Sequence, residues 1–201
     1  MIVTLVIIAV TVGISLLAWQ DQRLFDRLIY WPPAVKRGEW WRLLSHGFIH
    51  ADGTHLLFNM ITLFFFGAAM ESVLTGRVGE IGFVLFYLGG ILVAIVPTHF
   101  RHLNDIHYRS LGASGAVSAV LFAYILLQPW SLLFVMFIPM PAIVFAAIYV
   151  GYSLWAERHA PGNINHSAHL MGAAWGVAFM LMLEPALLPA FFERLLSPDW
   201  L

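Results

Sequence analysis

Long apolar runs separated by short polar segments dominate this chain. A helix that crosses a lipid bilayer needs about 20 predominantly apolar residues, with a range of roughly 17–25. Six runs reach or approach that length and predict membrane-spanning helices at residues 2–19, 55–73, 79–97, 113–127, 141–155 and 166–183. Two of these runs are short, so we expect some helix ends to lie in a thinned bilayer or below the rim of the protein.

The first connection, residues 20–54, is long, polar and aromatic. It contains Trp31-Pro32-Pro33 and Trp40-Trp41-Arg42, which are typical of anchors at the membrane–water interface. The pattern therefore predicts a first loop that is associated with the membrane surface.

The later connections are shorter. Polar loops are predicted at 98–112 and 156–165. Residues 130–140 are apolar but too few to cross a bilayer, and prolines bracket their end, which predicts an interfacial or re-entrant segment leading into the fifth span. The tail, residues 185–201, predicts an interfacial helix.

Composition places the chain among membrane proteins. It is 61% hydrophobic and 10% charged, whereas soluble domains carry roughly 25% charged residues. Its net charge of −1 gives no indication of a nucleic-acid partner. The absence of cysteine excludes disulfides, cysteine nucleophiles and thiolate metal sites. The first apolar run lacks a basic leader and a cleavage motif, so we interpret it as a retained span of a single membrane domain with no soluble domain.

Polar residues open three of the predicted spans: His55 and Asn59 the second, Ser114 the fourth and His169 the sixth. An even number of crossings separates these spans, so they run in the same direction and place the four residues near one face at similar depth. Polar groups at membrane depth are costly, and a functional site is the default hypothesis for them. A nucleophile-type serine and a base-type histidine at one level suggest chemistry inside the bilayer.

Small residues lie on the same faces as this serine and histidine. Gly172 and Gly176 follow His169 on one helix face, and Gly115 begins a row of small residues on the fourth span. Small residues spaced by four allow transmembrane helices to approach closely. We therefore expect the fourth and sixth spans to touch and to bring Ser114 and His169 together.

At these positions the chain resembles the rhomboid family of intramembrane serine proteases. The resemblance covers nearly the whole chain, and its motifs follow a fixed order. They are Trp41-Arg42, His46-Gly-Phe-Ile-His50-Ala-Asp-Gly-Thr-His55-Leu-Leu-Phe-Asn59, Gly67-Ala-Ala-Met-Glu71, Gly112-Ala-Ser114-Gly115 and Ala168-His169-Leu-Met-Gly172-Ala-Ala-Trp-Gly176. Each motif alone is weak, but the ordered set on six spans is specific.

The resemblance implies an all-α bundle of six transmembrane helices with a long, partly embedded first loop. It also implies a serine–histidine dyad without an acid: Ser114 attacks the scissile carbonyl, and His169 accepts its proton and returns it to the leaving amine. The backbone N–H of Ser114 and the side chains of His55 and Asn59 would form the oxyanion hole.

The resemblance assigns supporting roles to further residues. His46 would deliver or retain water, His50 would tie down the first loop, and Arg42, next to Trp41, would anchor it. Glu71 would cap or tether helices at the other end of the second span. The alternative for each is a polar residue satisfied by nearby backbone.

One position departs from the family pattern. Many bacterial members carry a tyrosine four residues after the nucleophile, and its ring stacks on the catalytic histidine. This chain has Ser118 there, so the orientation of His169 must come from another group.

The resemblance further implies substrates that are transmembrane proteins, entering between the second and fifth spans, and no metal or organic cofactor. Helical backbone is closed to attack, so a substrate must unwind near Gly or Pro. The family orientation places the N-terminus in the cytoplasm of a bacterial inner membrane and the dyad near the extracytoplasmic side. Loop charge predicts the reverse, because the loops then outside carry most of the Lys and Arg residues.

Two other functions stay open at this point. The first is a metal site built from His46, His50 and His55, since imidazole suits zinc, although there is no HExxH motif and no mid-span carboxylate. The second is a non-catalytic rhomboid-like protein that binds membrane clients, although such proteins usually lose the dyad.

Overall fold

The computed structural model describes residues 1–135, 138–159 and 164–197. Most of these residues are helical, and the apolar helices form a membrane bundle. In chain order the α-helices are α1 Ile2–Gln20, α2 Gln22–Leu28, α3 Pro32–Lys36, α4 Arg42–Ser45, α5 Gly53–Thr62, α6 Ala68–Arg101, α7 Ser114–Leu127, α8 Ala142–His159, α9 His166–Leu183 and α10 Leu187–Leu196. A 3₁₀ turn, His46–Phe48, precedes α5, and a π-helical segment, Leu63–Gly67, connects α5 to α6.

The helix α6 contains the end of the second span and the whole of the third, and Gly79 separates the two. This residue has φ +74° and ψ 175°, which breaks the helical path inside α6. The second span therefore comprises α5, the π-helical segment and residues 68–78, and the third comprises residues 80–101. Both run beyond their predicted limits, and the third continues past Pro97 to Arg101, into the predicted 98–112 loop.

The centre of the bundle is α7, because nearly all of its residues are buried between α6 and α9. Its 14 residues rise about 21 Å at 1.5 Å per residue, less than the ~30 Å hydrocarbon core. This short helix therefore lies inside the protein, surrounded by longer ones. Among the described residues, three helical stretches are long and apolar enough to cross a membrane: Ile2–Gln20, Gly53–Arg101 with its break, and His166–Leu183.

The first loop is folded around one buried arginine. Nη1 of Arg42 donates to the backbone carbonyls of Asp26 and Ile29, at 2.6 and 2.8 Å. Its other guanidinium nitrogens bind the Glu39 carboxylate. Nε1 of the half-exposed Trp41 donates to the carbonyl of Arg27. These bonds hold α2 against α4 and order the loop.

The other end of the second span is tied to α1. The buried Glu71 carboxylate accepts hydrogen bonds from the backbone N–H groups of Val3 and Thr4, at 3.1 and 2.8 Å. The first N–H groups of a helix have no intrahelical partner, so Glu71 caps α1 from a neighbouring span.

The fourth-to-fifth connection differs from the sequence-based expectation. Where an interfacial or re-entrant segment was predicted at 130–140, the structure has an antiparallel hairpin of β1 Leu132–Val135 and β2 Ile138–Pro141. Alternating exposure explains it, since Leu133 is buried while Leu132 and Phe134 are exposed. The described part of the helical bundle therefore contains this short hairpin between α7 and α8.

Other predicted segments fall partly outside the described residues. Residues 136–137 belong to the predicted 130–140 segment, 160–163 to the predicted 156–165 loop and 198–201 to the predicted tail helix. Within the described part, α8 continues through His159, into that loop, and the tail forms α10.

Candidate active site

The serine and histidine that the sequence predicts as a dyad lie within hydrogen-bond distance of each other in the structure. Nε2 of His169 lies 2.7 Å from Oγ of Ser114. Ser114 is the first residue of α7, and His169 lies in the first turn of α9. A nucleophile and a base within about 2.6–3.2 Å form the geometry that activates a serine. The pair can therefore transfer a proton directly.

Two glycines of α9 allow this approach. A Cβ atom added at Gly172 would lie 2.0 Å from the carbonyl oxygen of Gly115, and one at Gly176 would lie 2.0 Å from that of Ala119. No side chain fits at either distance, so the backbones of α7 and α9 are in direct contact. A Cβ at Gly115 would in turn meet Cβ of Ala94 on α6, at 2.4 Å. The three helices thus fix the depth of the dyad.

Gly112 gives the ring of His55 its place beside the nucleophile. It has φ +111°, and a Cβ there would lie 2.7 Å from Cε1 and 2.9 Å from Nε2 of His55. Its backbone N–H donates to the carbonyl of His46 at 2.9 Å. Only glycine satisfies both the left-handed backbone and the contact with the imidazole. The side chain of His55 consequently lies next to the turn that presents Ser114.

The other proposed oxyanion donors are partly engaged. Nδ2 of the buried Asn59 donates one hydrogen bond to the carbonyl of His55, at 2.9 Å. A primary amide carries two N–H donors, so a second remains. The N–H of Ser114 is the first of α7, and helix geometry leaves the first N–H groups without intrahelical acceptors. A helix N-terminus also favours negative charge.

His50 joins the first span to the residue before the nucleophile. Its Nδ1 lies 3.1 Å from Oγ of Ser15, which donates to the carbonyl of Phe48, so Nδ1 carries the proton. Its Nε2 accepts the backbone N–H of Ala113 at 3.3 Å. Burial, with the neighbouring His55, lowers the pKa of His50 to about 3. The ring is therefore neutral and serves as a fixed crosslink.

His46 borders a cavity beside the dyad. Its Nδ1 donates to the carbonyl of Arg42 at 3.0 Å, and burial lowers its pKa to about 4. The neutral ring then has Nε2 as an acceptor. The cavity has a volume of about 20 Å³ and is also lined by Gly112, Ser114 and Asn165. A water molecule needs roughly 10–15 Å³ of such space, so the cavity has room for one.

Two residues absent from the sequence-based site lie next to His169. The ring of Tyr149, on α8, is stacked on the imidazole with centroids 6.1 Å apart and planes at 20°. Its hydroxyl lies 2.7 Å from Oγ of Ser118. Asn165 caps α9 by accepting the N–H of Ala168 at 3.0 Å. An Asn before an apolar run is a cap signal, whereas nothing in the sequence pointed to Tyr149.

A metal site is not formed by the described residues. Among them, no group of three or more His, Cys, Asp or Glu side chains could hold a metal ion. The rings of His50 and His55 meet edge to face with centroids 4.9 Å apart, and His50 already uses both ring nitrogens. His50 therefore has no ring nitrogen left for a metal ion.

Comparison with known proteins gives matches along most of the chain. The Rhomboid domain family matches residues 37–186. The YdcA protein of Bacillus subtilis (strain 168) is 34% identical over 111 residues, which cover 55% of this chain and 50% of the relative. The rhomboid protease GluP of the same organism is 34% identical over 167 residues, covering 81% and 30%. RHOMBOID-like protein 12, mitochondrial, of Arabidopsis thaliana is 31% identical over 151 residues, covering 69% and 45%. The chain spans about half or less of the length of these relatives.

Proposed function

Since this chain belongs to the rhomboid family of intramembrane serine proteases and is an integral membrane protein, we propose that it is a serine endopeptidase that cleaves transmembrane proteins through Ser114 and His169. The single observation that carries the proposal is the 2.7 Å hydrogen bond between Oγ of Ser114 and Nε2 of His169. The two residues lie on separate helices whose backbones are in contact. Polar side chains at membrane depth are energetically costly, so their pairing there favours a functional role.

Acylation follows from this geometry. Oγ of Ser114 attacks the scissile carbonyl carbon as its proton moves to Nε2 of His169. The tetrahedral intermediate collapses, the C–N bond breaks, and Nε2 returns the proton to the leaving amine. The product is an acyl ester on Ser114, and the amine fragment departs. A neutral His169 is required at the start of the reaction.

The oxyanion that forms during attack needs donors on one side of Ser114. We assign the backbone N–H of Ser114, the ring of His55 beside Gly112 and the remaining N–H of Asn59 to this role. Removal of one oxyanion donor typically lowers the rate by about 10²–10³. His55→Ala and Asn59→Ala should each show a loss of this order in kcat.

Hydrolysis of the acyl ester requires water at a site surrounded by apolar helices. The cavity beside His46 and Ser114 has room for one molecule, and Nε2 of His46 is an acceptor for it. We propose that water held there attacks the ester carbonyl as its proton moves to Nε2 of His169. The ester C–O bond then breaks, His169 returns the proton to Oγ of Ser114, and the acyl fragment departs as a carboxylic acid.

The substrates we propose are transmembrane segments with Gly or Pro near the cleavage site and small residues at it. Hydrogen-bonded helical carbonyls are inaccessible to Ser114, so a substrate must unwind locally. By family analogy it would enter between the second and fifth spans.

For location, we propose a bacterial plasma membrane with the N-terminus in the cytoplasm. Loop charge opposes this orientation, but Arg42 is buried in an ion pair with Glu39, and Arg101 is paired with Glu157. A reporter fused to the C-terminus tests it, and extracytoplasmic reporter activity would overturn it.

The decisive experiment incubates purified protein with a single-span model substrate and compares wild type with Ser114→Ala and His169→Ala. Each should lose activity by on the order of 10⁴-fold, since the two residues act as a unit. Ser72→Ala and His107→Ala are matched controls because both side chains are exposed away from the dyad. Unchanged cleavage by Ser114→Ala contradicts the proposal.

The same assay separates the alternatives. Cleavage that survives Ser114→Ala and is abolished by a chelator would indicate a metal enzyme. Binding of the substrate by wild type without any cleavage would indicate a non-catalytic client binder.

A further inference from the structure

We propose that Tyr149 is the positioning residue of the dyad: its ring, held by Ser118, fixes the plane of the His169 imidazole. This inference rests on the proposed function of Ser114 and His169. It concerns a residue on α8, and the two members of the dyad lie on α7 and α9.

The dyad lacks the group that orients the histidine in a serine–histidine–aspartate triad. There, a carboxylate binds Nδ1 of the base and sets the tautomer and ring direction. In the part of this chain that the structure describes, His169 hydrogen-bonds through its side chain to Ser114 and to no other residue. Rotation of the imidazole about its own bonds must be limited by packing instead.

Tyr149 supplies that packing in a suitable geometry. Its ring and the imidazole are nearly parallel, at 20°, with centroids 6.1 Å apart. Offset-stacked aromatic pairs occur with centroids about 4.5–7 Å apart. The other ring next to the imidazole, His166, meets it edge on at 75°. Of these two rings, Tyr149 is thus the one that stacks on His169.

The tyrosine ring is itself fixed at its far end and along its sides. Its hydroxyl lies 2.7 Å from Oγ of the buried Ser118. Phe122 and Phe145 flank the ring with centroids 5.5 and 5.6 Å away. Ser118 lies one turn after Ser114 on α7, so both serines face the same side of the helix. One helix therefore carries the nucleophile and the anchor of the ring that orients the base.

Ser118 also gains a specific role from this contact. A tyrosine at this position would present its own ring, whereas the small hydroxyl leaves room for a ring from α8. The orienting group that the sequence could not identify is therefore Tyr149.

The test measures kcat and KM for a single-span substrate with wild type, Tyr149→Leu, Tyr149→Phe and Ser118→Ala. We expect Tyr149→Leu to lower kcat by about 2- to 13-fold, the range that corresponds to the loss of an aromatic pair. KM should not change, because Tyr149 acts on His169 and not on substrate. Tyr149→Phe and Ser118→Ala should show smaller losses of kcat that are equal to each other. Each variant removes one of the two hydroxyls that form the same hydrogen bond.

Tyr152→Leu is the matched control, since it removes the same residue type from the same helix at a half-exposed site that contacts His166 rather than His169. It should retain wild-type kcat. Wild-type kcat in Tyr149→Leu, or an equal loss in Tyr152→Leu, overturns the proposal. If Tyr149→Leu fails to fold, the comparison of Tyr149→Phe with Ser118→Ala tests the proposal instead. Losses of kcat that are unequal or absent in these two variants overturn the proposal.

A second readout is independent of proteolysis. In ¹⁵N-histidine-labelled protein, the Nε2 signal of His169, assigned with His169→Gln, reports the hydrogen bond to Ser114. Tyr149→Leu should broaden or shift that signal, and Tyr152→Leu should not. If wild type shows no Ser114-dependent cleavage, the proposed function fails. An Nε2 signal unchanged in Tyr149→Leu instead overturns the positioning role alone.

Discussion

Nε2 of the His50 imidazole accepts a hydrogen bond from the backbone N–H of Ala113, with the two nitrogens 3.3 Å apart. The acceptor belongs to the first loop, and the donor immediately precedes the nucleophile. The other ring nitrogen is bound to Ser15 on the first span. The turn that presents Ser114 is therefore supported from outside the helices that carry the dyad.

Replacing this crosslink should weaken both stability and catalysis. In His50→Phe the N–H of Ala113 loses its acceptor, while the Ser15 hydroxyl keeps the Phe48 carbonyl and loses only the bond from His50. We expect the unpaired N–H to cost about 1–3 kcal/mol of unfolding free energy. SDS-induced unfolding in mixed micelles measures it, and kcat should fall as the turn before Ser114 loosens. His107→Phe, at an exposed loop position, is the control. Wild-type stability and kcat in His50→Phe would show that the crosslink is dispensable.

Close helix contact makes the site sensitive to any side chain at Gly172. In Gly172→Ala the new methyl group would lie 2.0 Å from the carbonyl oxygen of Gly115, so α7 and α9 must separate. A misplacement of about 1 Å can cost 10²-fold in rate, and we expect a loss of at least that order in kcat.

Gly13→Ala is the matched control for this change. A Cβ at Gly13 has no neighbour within 4 Å, and Gly→Ala inside a helix is favourable by about 0.5–1 kcal/mol. Cleavage should therefore be unchanged and the melting temperature equal or higher. Equal activity of the two variants would mean that α7 and α9 do not need to touch.

The lengths of the apolar runs explain why the positions of several helices could be predicted from the sequence. Hydrocarbon thickness sets the length expected of a span, so a helix was predicted at 166–183, and the structure has α9 at His166–Leu183. The glycines that follow His169 also indicated which face of α9 meets α7. Membership of the rhomboid family and the helical membrane fold are confirmed by the comparisons and the structure.

Rotation about a helix axis and the path of a loop were not predictable in this way. The run that forms α8 is apolar on all sides, so it did not show that Tyr149 faces His169. Arg42 donates to backbone carbonyls of the first loop. Every residue has a carbonyl, so the sequence did not indicate which ones Arg42 would bind. Gly79 resembled any other glycine at a span end, although its positive φ is what separates the second and third spans.

Acid should destabilise the protein through His46 and His50. Burial lowers their pKa values to about 4 and about 3, from an ordinary value of 6.5. Below pH 6.5 these two histidines are therefore protonated in the unfolded chain but stay neutral in the folded chain. The free energy of unfolding consequently falls as the pH decreases toward 4. The expected slope is at most about 1.4 kcal/mol per pH unit for each histidine.

SDS unfolding at several pH values between 4 and 8 measures this dependence. His50→Asn should be less stable than wild type near neutral pH and should have a shallower slope below pH 6.5. His107→Asn should keep the wild-type slope. An unchanged slope in His50→Asn would show that His50 is not held neutral by the fold.

Glu71 should affect stability without affecting the chemistry. It follows His55 by 16 residues, which places it about 24 Å away along the helix axis. Glu71→Gln retains one carbonyl acceptor but loses the charge that strengthens the bonds from the N–H groups of Val3 and Thr4. We expect unfolding to become easier by about 1–3 kcal/mol, while kcat below the melting temperature stays within about twofold of wild type. Glu80→Gln, at an exposed position, should change neither quantity. A large loss of kcat in folded Glu71→Gln would instead mean that the cap of α1 is coupled to the dyad across the bundle.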